Sequence, residues 1–194
     1  MFYRFAHRLV NVIFWLIYRI KVTGLEKVPE GAGVISGNHT SNIDPVILAL
    51  VLPVHDAPRF MAKKELYRFK PLGWLITALG AFPVERGSAD MKAIKTALGI
   101  LRSGRKLLVF PEGTRVAKDE AVAAKHGAAM LASRTNSPII PVNISRGRKP
   151  FINRITVIFG APFEFPKEKG AVPPKDYPGI IDKVMREVGR LGEK

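Results

Sequence analysis

The 194-residue sequence contains no cysteine. That excludes a disulfide framework, a cysteine nucleophile and any thiolate metal site. Any group-transfer chemistry must then use another nucleophile or pass the group directly. Negative charge is also scarce, with 16 Asp and Glu against 31 Lys and Arg and a formal net charge of +15. Such a balance calls for an anionic partner, whether nucleic acid, an acidic membrane surface or a phosphorylated substrate. A spanning apolar run is missing from the N-terminal segment, where the uncharged stretch Leu9 to Tyr18 has ten residues and a transmembrane helix needs about 20. No small-residue cleavage site follows it, which argues against a signal peptide. Ser41 lacks the G-x-S-x-G elbow of serine hydrolases, and no nucleic-acid-binding motif stands in the core blocks.

What is present begins with that N-terminal segment. Residues 1–21 read as a helix in which Arg4, His7, Arg8, Arg19 and Lys21 flank Phe2, Tyr3, Phe5, Phe14, Trp15 and Tyr18. Aromatic residues with basic flanks suit a helix lying in the membrane interface. The alternative is an amphipathic helix docked on the protein's own core. The nearly continuous apolar surface favours the interface, because a solvated helix shows a clear polar face.

Beyond it, strands are expected at 21–28, 33–36, 59–63, 81–85, 106–110, 139–144 and 155–159. Helices are expected at 45–52, 64–79 (interrupted near Pro71 and Gly73), 89–101, 127–134 and 178–191. Asp44 fits the N-cap of the 45–52 helix and Pro45 its first turn. Pro141 would ordinarily demote the 139–144 strand to a sheet edge. Strands without polar faces that alternate with helices predict a single α/β domain. Its sheet should be mixed, largely parallel and covered by helices on both faces. At 47 % apolar residues the chain can bury a substantial core. The Pro- and Lys-rich stretch 162–178 reads as a surface connection.

The stretch Gly37-Asn38-His39-Thr40-Ser41-Asn42-Ile43-Asp44-Pro45 runs directly off the apolar 33–36 strand. Five positions separate His39 from Asp44. In a regular helix that spacing leaves two side chains about 140° apart, and in a strand it puts them on opposite faces. They meet only if residues 40–43 turn, which Thr, Ser and Asn favour. An Asp bonded to one ring nitrogen fixes the tautomer and favours the imidazolium, leaving the other nitrogen to deprotonate an alcohol. The plainer alternative is a polar turn with a helix cap. A metal site fits less well, because no further ligand cluster stands near at suitable spacing.

Three more blocks place chemistry at strand ends: Phe82-Pro83-Val84-Glu85-Arg86-Gly87, Phe110-Pro111-Glu112-Gly113-Thr114-Arg115, and Ile139-Ile140-Pro141-Val142. Lys63 and Lys64 stand at a further strand-to-helix corner. Ligands of open α/β sheets sit beyond the carboxyl ends of strands, and an arginine there can grip a phosphate with two parallel hydrogen bonds. Taken singly, the Pro-Glu-Gly-Thr segment could equally be a turn with a solvated arginine.

In their order, NHTSNID, GAFPVER, FPEGTR and IIPVNI resemble the blocks of the glycerolipid acyltransferases, and most closely those of the bacterial 1-acyl-sn-glycerol-3-phosphate acyltransferases. The resemblance covers residues 37–144 and implies an acyltransferase domain at 22–194 behind the membrane-associating segment 1–21. It implies His39 as general base, oriented by Asp44, for attack of a lysophospholipid hydroxyl on an acyl thioester. It implies Arg115, Arg86 and Lys63 as phosphate ligands, with Glu112, Gly113 and Thr114 shaping the acceptor site. It implies acyl-CoA or acyl-acyl-carrier protein as donor, with no cofactor and no metal. An anionic membrane surface on the cytoplasmic face is the expected location, and no nucleic acid partner is expected. Rival readings keep the chemistry but change the acceptor to glycerol 3-phosphate, another lysophospholipid or a lyso-aminolipid. A non-catalytic basic binding module fits the charge, yet it gives no reason for His39, Asp44 and Glu112 to stand at strand ends.

Overall fold

A computed structural model describes residues 12, 14, 17–85, 90–112, 126–147, 154–165 and 172–193. Seven strands form one sheet: β1 (Arg19–Thr23), β2 (Gly33–Gly37), β3 (Arg59–Lys63), β4 (Ala81–Val84), β5 (Lys106–Val109), β6 (Ile139–Arg146) and β7 (Arg154–Phe159), in the order β1-β7-β6-β2-β5-β3-β4. The five strands from β6 to β4 run parallel; β7 is antiparallel to β6, and β1 runs parallel to β7. The helices are α1 (Asp44–Val51), α2 (Lys70–Ala78), α3 (Met91–Arg102), α4 (Gly127–Thr135) and α5 (Tyr177–Gly192).

Strands with no polar face end up central because both faces are covered. In β2, Ile35 packs with Ile47 and Leu48 of α1 and Ile76 of α2, while Val34 packs on the opposite face with Ala97 of α3, Ala128 of α4 and Val184 of α5. In β5, Leu108 and Leu107 divide between the same two layers, as Ile140 and Ile139 do in β6. The outer strands alternate instead. Ile155, Val157 and Phe159 of β7 face the first layer, and exposed Arg154 faces out.

Several details depart from the sequence reading. The expected N-terminal helix through Lys21 and strand 21–28 give way to β1 at Arg19–Thr23, followed by a 3-10 turn at Leu25–Lys27. Helical Phe14 and the following Tyr18 pack against the first layer, and the helix ends at Ile17, before Arg19 opens the strand. Ile20 supplies β1's buried position. The expected 64–79 helix is a 3-10 segment, Lys64–Arg68, then α2, and its break falls at Phe69 rather than near Pro71 and Gly73. Pro71 lies in the first turn of α2, where its missing N–H costs nothing. Gly73 is buried where a Cβ would stand 3.0 Å from the Tyr67 Cα, so a larger residue there would push the helix outward from the 3-10 segment.

Pro141 does not make β6 an edge. It pairs with Ser36 of β2 on one side, and its carbonyl accepts from Gly160 N–H (2.9 Å) on the other. The absent N–H points to that second side, where β7 has already ended at Phe159. The proline therefore forgoes only the reciprocal bond to Gly160, just past the end of β7, and leaves the β2 side of the ladder intact. Among the described residues, no helix is long and apolar enough to cross a membrane.

Candidate active site

The carboxyl ends of the five parallel strands share one margin of the sheet, and the site is assembled there. β2 stops pairing with β6 at Gly37–Val142. Gly37 is required because a Cβ would stand 2.5 Å from the Val142 carbonyl oxygen. Asn38 then replaces a strand residue with its side chain: its Nδ2 donates to the Ile144 carbonyl and its Oδ1 accepts from the Ile144 N–H, both at 2.8 Å. The backbone is thereby anchored to β6 as it leaves the sheet, which fixes where His39 emerges.

Residues 40–43 make the turn that the His–Asp spacing demands. Asp44 N–H donates to the Ser41 carbonyl (3.1 Å), and Asp44 Oδ2 accepts from the backbone N–H groups of Thr40 (2.8 Å) and Ser41 (2.7 Å). The Asp44 carboxylate thus reaches back over the turn in the way the acid of a capping box does, from one residue inside the N-cap Ile43. This corrects the expectation of Asp44 as N-cap, since it is the first residue of α1 and binds backward. The same Oδ2 stands 3.2 Å from His39 Nδ1. With that nitrogen donating to the carboxylate, the His39 lone pair is carried by Nε2.

The other Asp44 oxygen is held by Arg146, at the end of β6, whose Nη2 ion-pairs with Oδ1. The Arg146 Nη1 also donates to Thr40 Oγ1 at 2.6 Å. Asp44 is fully buried. Burial alone would raise its carboxyl, but hydrogen bonds from His39, Arg146 and Ser41, with the charge of Arg146, outweigh it and hold the group below the usual carboxylate range. The imidazole is further fixed by Phe110, stacked on it at 4.1 Å between centroids and 14° between planes.

From the end of β5, half-buried Glu112 accepts the His39 backbone N–H through Oε2 at 3.0 Å. Burial pushes the Glu112 carboxyl up, more than that hydrogen bond and the His39 charge lower it, and the nearby Asp44 charge adds to the rise. Next to the imidazole lies a cavity of about 250 Å³ lined by His39, Val46, Phe60, Lys63, Leu66 and Ile76 among others. A buried imidazole backed by a carboxylate, beside an apolar cavity with an exposed lysine at its rim, can take a proton from an alcohol while an acyl or alkyl chain is kept from water.

The Acyltransferase family model matches residues 19–145, which include every element of this site except Arg146. The chain is 33 % identical over 168 residues to a 1-acyl-sn-glycerol-3-phosphate acyltransferase of Bacillus subtilis, covering 82 % of this chain and 81 % of that one. The chain belongs to the Acyltransferase family. A second member of the family, the 1-acyl-sn-glycerol-3-phosphate acyltransferase of Streptococcus pneumoniae, is 30 % identical over 202 residues, covering 100 % of this chain and 74 % of the other. The fold is shared with the crystal structure of the 1-acyl-sn-glycerophosphate (LPA) acyltransferase PlsC from Thermotoga maritima. That likeness has a TM-score of 0.71 at 24 % identity, over 100 % of this chain and 79 % of that one.

Of the residues the sequence nominates in this acyltransferase, the structure brings together His39, Asp44 and Glu112, with Lys63 on the same cavity. Arg86, Gly113, Thr114 and Arg115 lie outside the described residues. Sequence reasoning missed three partners. Arg146 and Asp44 are 102 positions apart, with no local pattern linking them. Asn38 and Phe110 stand within or beside the quoted blocks, but their roles depend on β6 and on the ring opposite. The S-x-x-D spacing of Ser41 and Asp44 was the one local signal that could have shown which way the carboxylate turns.

Proposed function

We propose that this chain transfers a fatty acyl group from an acyl thioester to the sn-2 hydroxyl of 1-acyl-sn-glycerol 3-phosphate, giving phosphatidic acid. The observation that carries this reading is the Asp44-backed His39 imidazole beside the 250 Å³ apolar cavity, in a chain of the family that contains the enzymes named above. His39 Nε2 takes the hydroxyl proton as the acceptor oxygen attacks the thioester carbonyl. Asp44, kept ionised by Arg146 and the Thr40 and Ser41 amides, stabilises the imidazolium that forms. Collapse of the tetrahedral intermediate breaks the C–S bond, and the imidazolium returns its proton to the departing thiolate. One ester is formed and one thiol released, with no covalent enzyme intermediate.

Lys63 at the cavity rim, with Arg86 and Arg115, is assigned to the acceptor phosphate. Glu112, Gly113 and Thr114 are assigned to the walls of the acceptor site. The donor is acyl-CoA or acyl-acyl-carrier protein, no cofactor is required, and the reaction takes place at the cytoplasmic face of the membrane.

His39→Ala should lower turnover by about 10²–10⁴-fold, the usual contribution of a general base, without loss of folded structure. Near-normal turnover by a folded variant would remove His39 from its role. Thioester consumption should depend on the acceptor and be fastest with the lysophosphatidate when glycerol 3-phosphate, other lysophospholipids and lyso-aminolipids are compared. Equal consumption without acceptor would identify a hydrolase instead.

A further inference from the structure

We propose that the 3-10 segment Lys64–Arg68 and helix α2 form a membrane-docking face that seats the mouth of the His39 cavity on an anionic phospholipid bilayer. Seven large hydrophobic side chains are exposed among the described residues, and four of them fall between positions 66 and 74: Leu66 (41 % exposed), Phe69 (66 %), Leu72 (36 %) and Trp74 (58 %). Scattered single exposures are ordinary on a protein surface, but a cluster within nine consecutive residues is not. Nor is the cluster forced on the fold, because α2 already buries Gly73 and Ile76 on its inner side.

The charge pattern names the occupant. Exposed Lys63, Arg68 and Lys70 interleave with the apolar side chains, beside Lys64, whose charge is already paired with Glu85, and the run itself holds the single acid Glu65. Lysine and arginine among aromatic and aliphatic residues suit the headgroup boundary of an acidic bilayer, where the cations meet lipid phosphates and the rings enter the acyl region. A partner protein's apolar groove would not call for this ring of cations.

Position supplies two further arguments. Lys63 and Leu66 line the His39 cavity, so the exposed run begins at its mouth. Phe14 of the N-terminal helical segment, Tyr18 just after it, and Tyr67, Leu75 and Ile76 of the 3-10 segment and α2 pack against the same layer of the core. Exposed Val12 and Ile17 therefore stand on the same side of the sheet as Phe69 and Trp74. Seated this way, a lipid acceptor would pass from the bilayer to His39 without crossing water. That consequence rests on the function proposed above; the docking itself does not.

The test is the full chain with phosphatidylglycerol-containing vesicles. In Trp15→Phe, which keeps Trp74 as the sole tryptophan, the vesicles should shift the emission to the blue, and brominated acyl chains should quench it. Pure phosphatidylcholine vesicles should do so weakly. Phe69→Ala with Trp74→Ala should weaken sedimentation with the acidic vesicles by at least about tenfold, from the apolar area lost. Arg68→Gln with Lys70→Gln should weaken it by about fivefold per charge. These readouts need no acyl transfer, so they stand or fall independently of the substrate assignment. An unshifted, unquenched Trp74 in a protein that nonetheless binds the vesicles would overturn the proposal. So would a shift that appears on self-association or with an acidic protein and not with lipid.

Discussion

Asp44 accepts from four donors, His39 Nδ1, the amides of Thr40 and Ser41, and Arg146, while fully buried. A buried carboxylate so bonded is stable only as the anion, and Arg146 carries the compensating charge. The stability this confers is present above the ordinary carboxylate pKa of about 3.9 and is lost as pH falls through the lower folded value. Arg146→Ala should therefore cost about 1.5–3 kcal/mol at neutral pH, as expected for a hydrogen bond to a charged group. The deficit, read from urea midpoints, should shrink as the pH is taken below about 4 and close as it passes the lower value at which folded wild type loses the anion. A deficit that stayed constant with pH would mean that Arg146 acts through packing and not through Asp44. At this scale the sequence nominated the right pair, because His39, Asp44 and the turn-forming residues between them are contiguous. It was silent on Arg146, whose approach depends on β2 and β6 being neighbours.

Element by element, the period of apolar residues placed most of the helices and strands, because central strands and amphipathic helices carry their burial in their composition. It failed where a backbone detail decided. The proline of β6 faces the one place where its neighbour has ended, and α2 starts after a 3-10 segment whose backbone touches Gly73. Lys106 is another case. It opens β5 as a wholly buried lysine, its Nζ 2.5 Å from Asp56 Oδ1 and 3.0 Å from the Gly31 carbonyl. This pair ties two loops to the strand at the sheet margin opposite the site. Asp56→Ala, which strands the buried ammonium, should destabilise by about 3–5 kcal/mol. Lys106→Met should cost less, because the Asp56 side chain keeps 16 % of its surface exposed and can hydrate. Chemical denaturation of the two variants checks the order, and the reverse order would make the aspartate the buried charge that matters.

For the whole molecule, the net charge of +15 acts with the exposed apolar side chains of α2 and its preceding 3-10 segment. Binding to acidic vesicles should weaken as salt is raised from about 0.05 to 0.5 M, because screening shortens the reach of surface cations. It should not vanish, because the apolar contribution is insensitive to salt. Complete loss at high salt would show that charge alone holds the protein to the bilayer. The class of the fold, the position of most helices and strands, and the corner that carries the chemistry followed from sequence alone, since each is written in local periodicity, turn chemistry and contiguous motifs. Strand order, the Arg146 clamp on Asp44, the Phe110 stack on His39 and the shared side of the two exposed apolar regions did not. Those are contacts between residues far apart along the chain, and only closure of the sheet puts them within reach of one another.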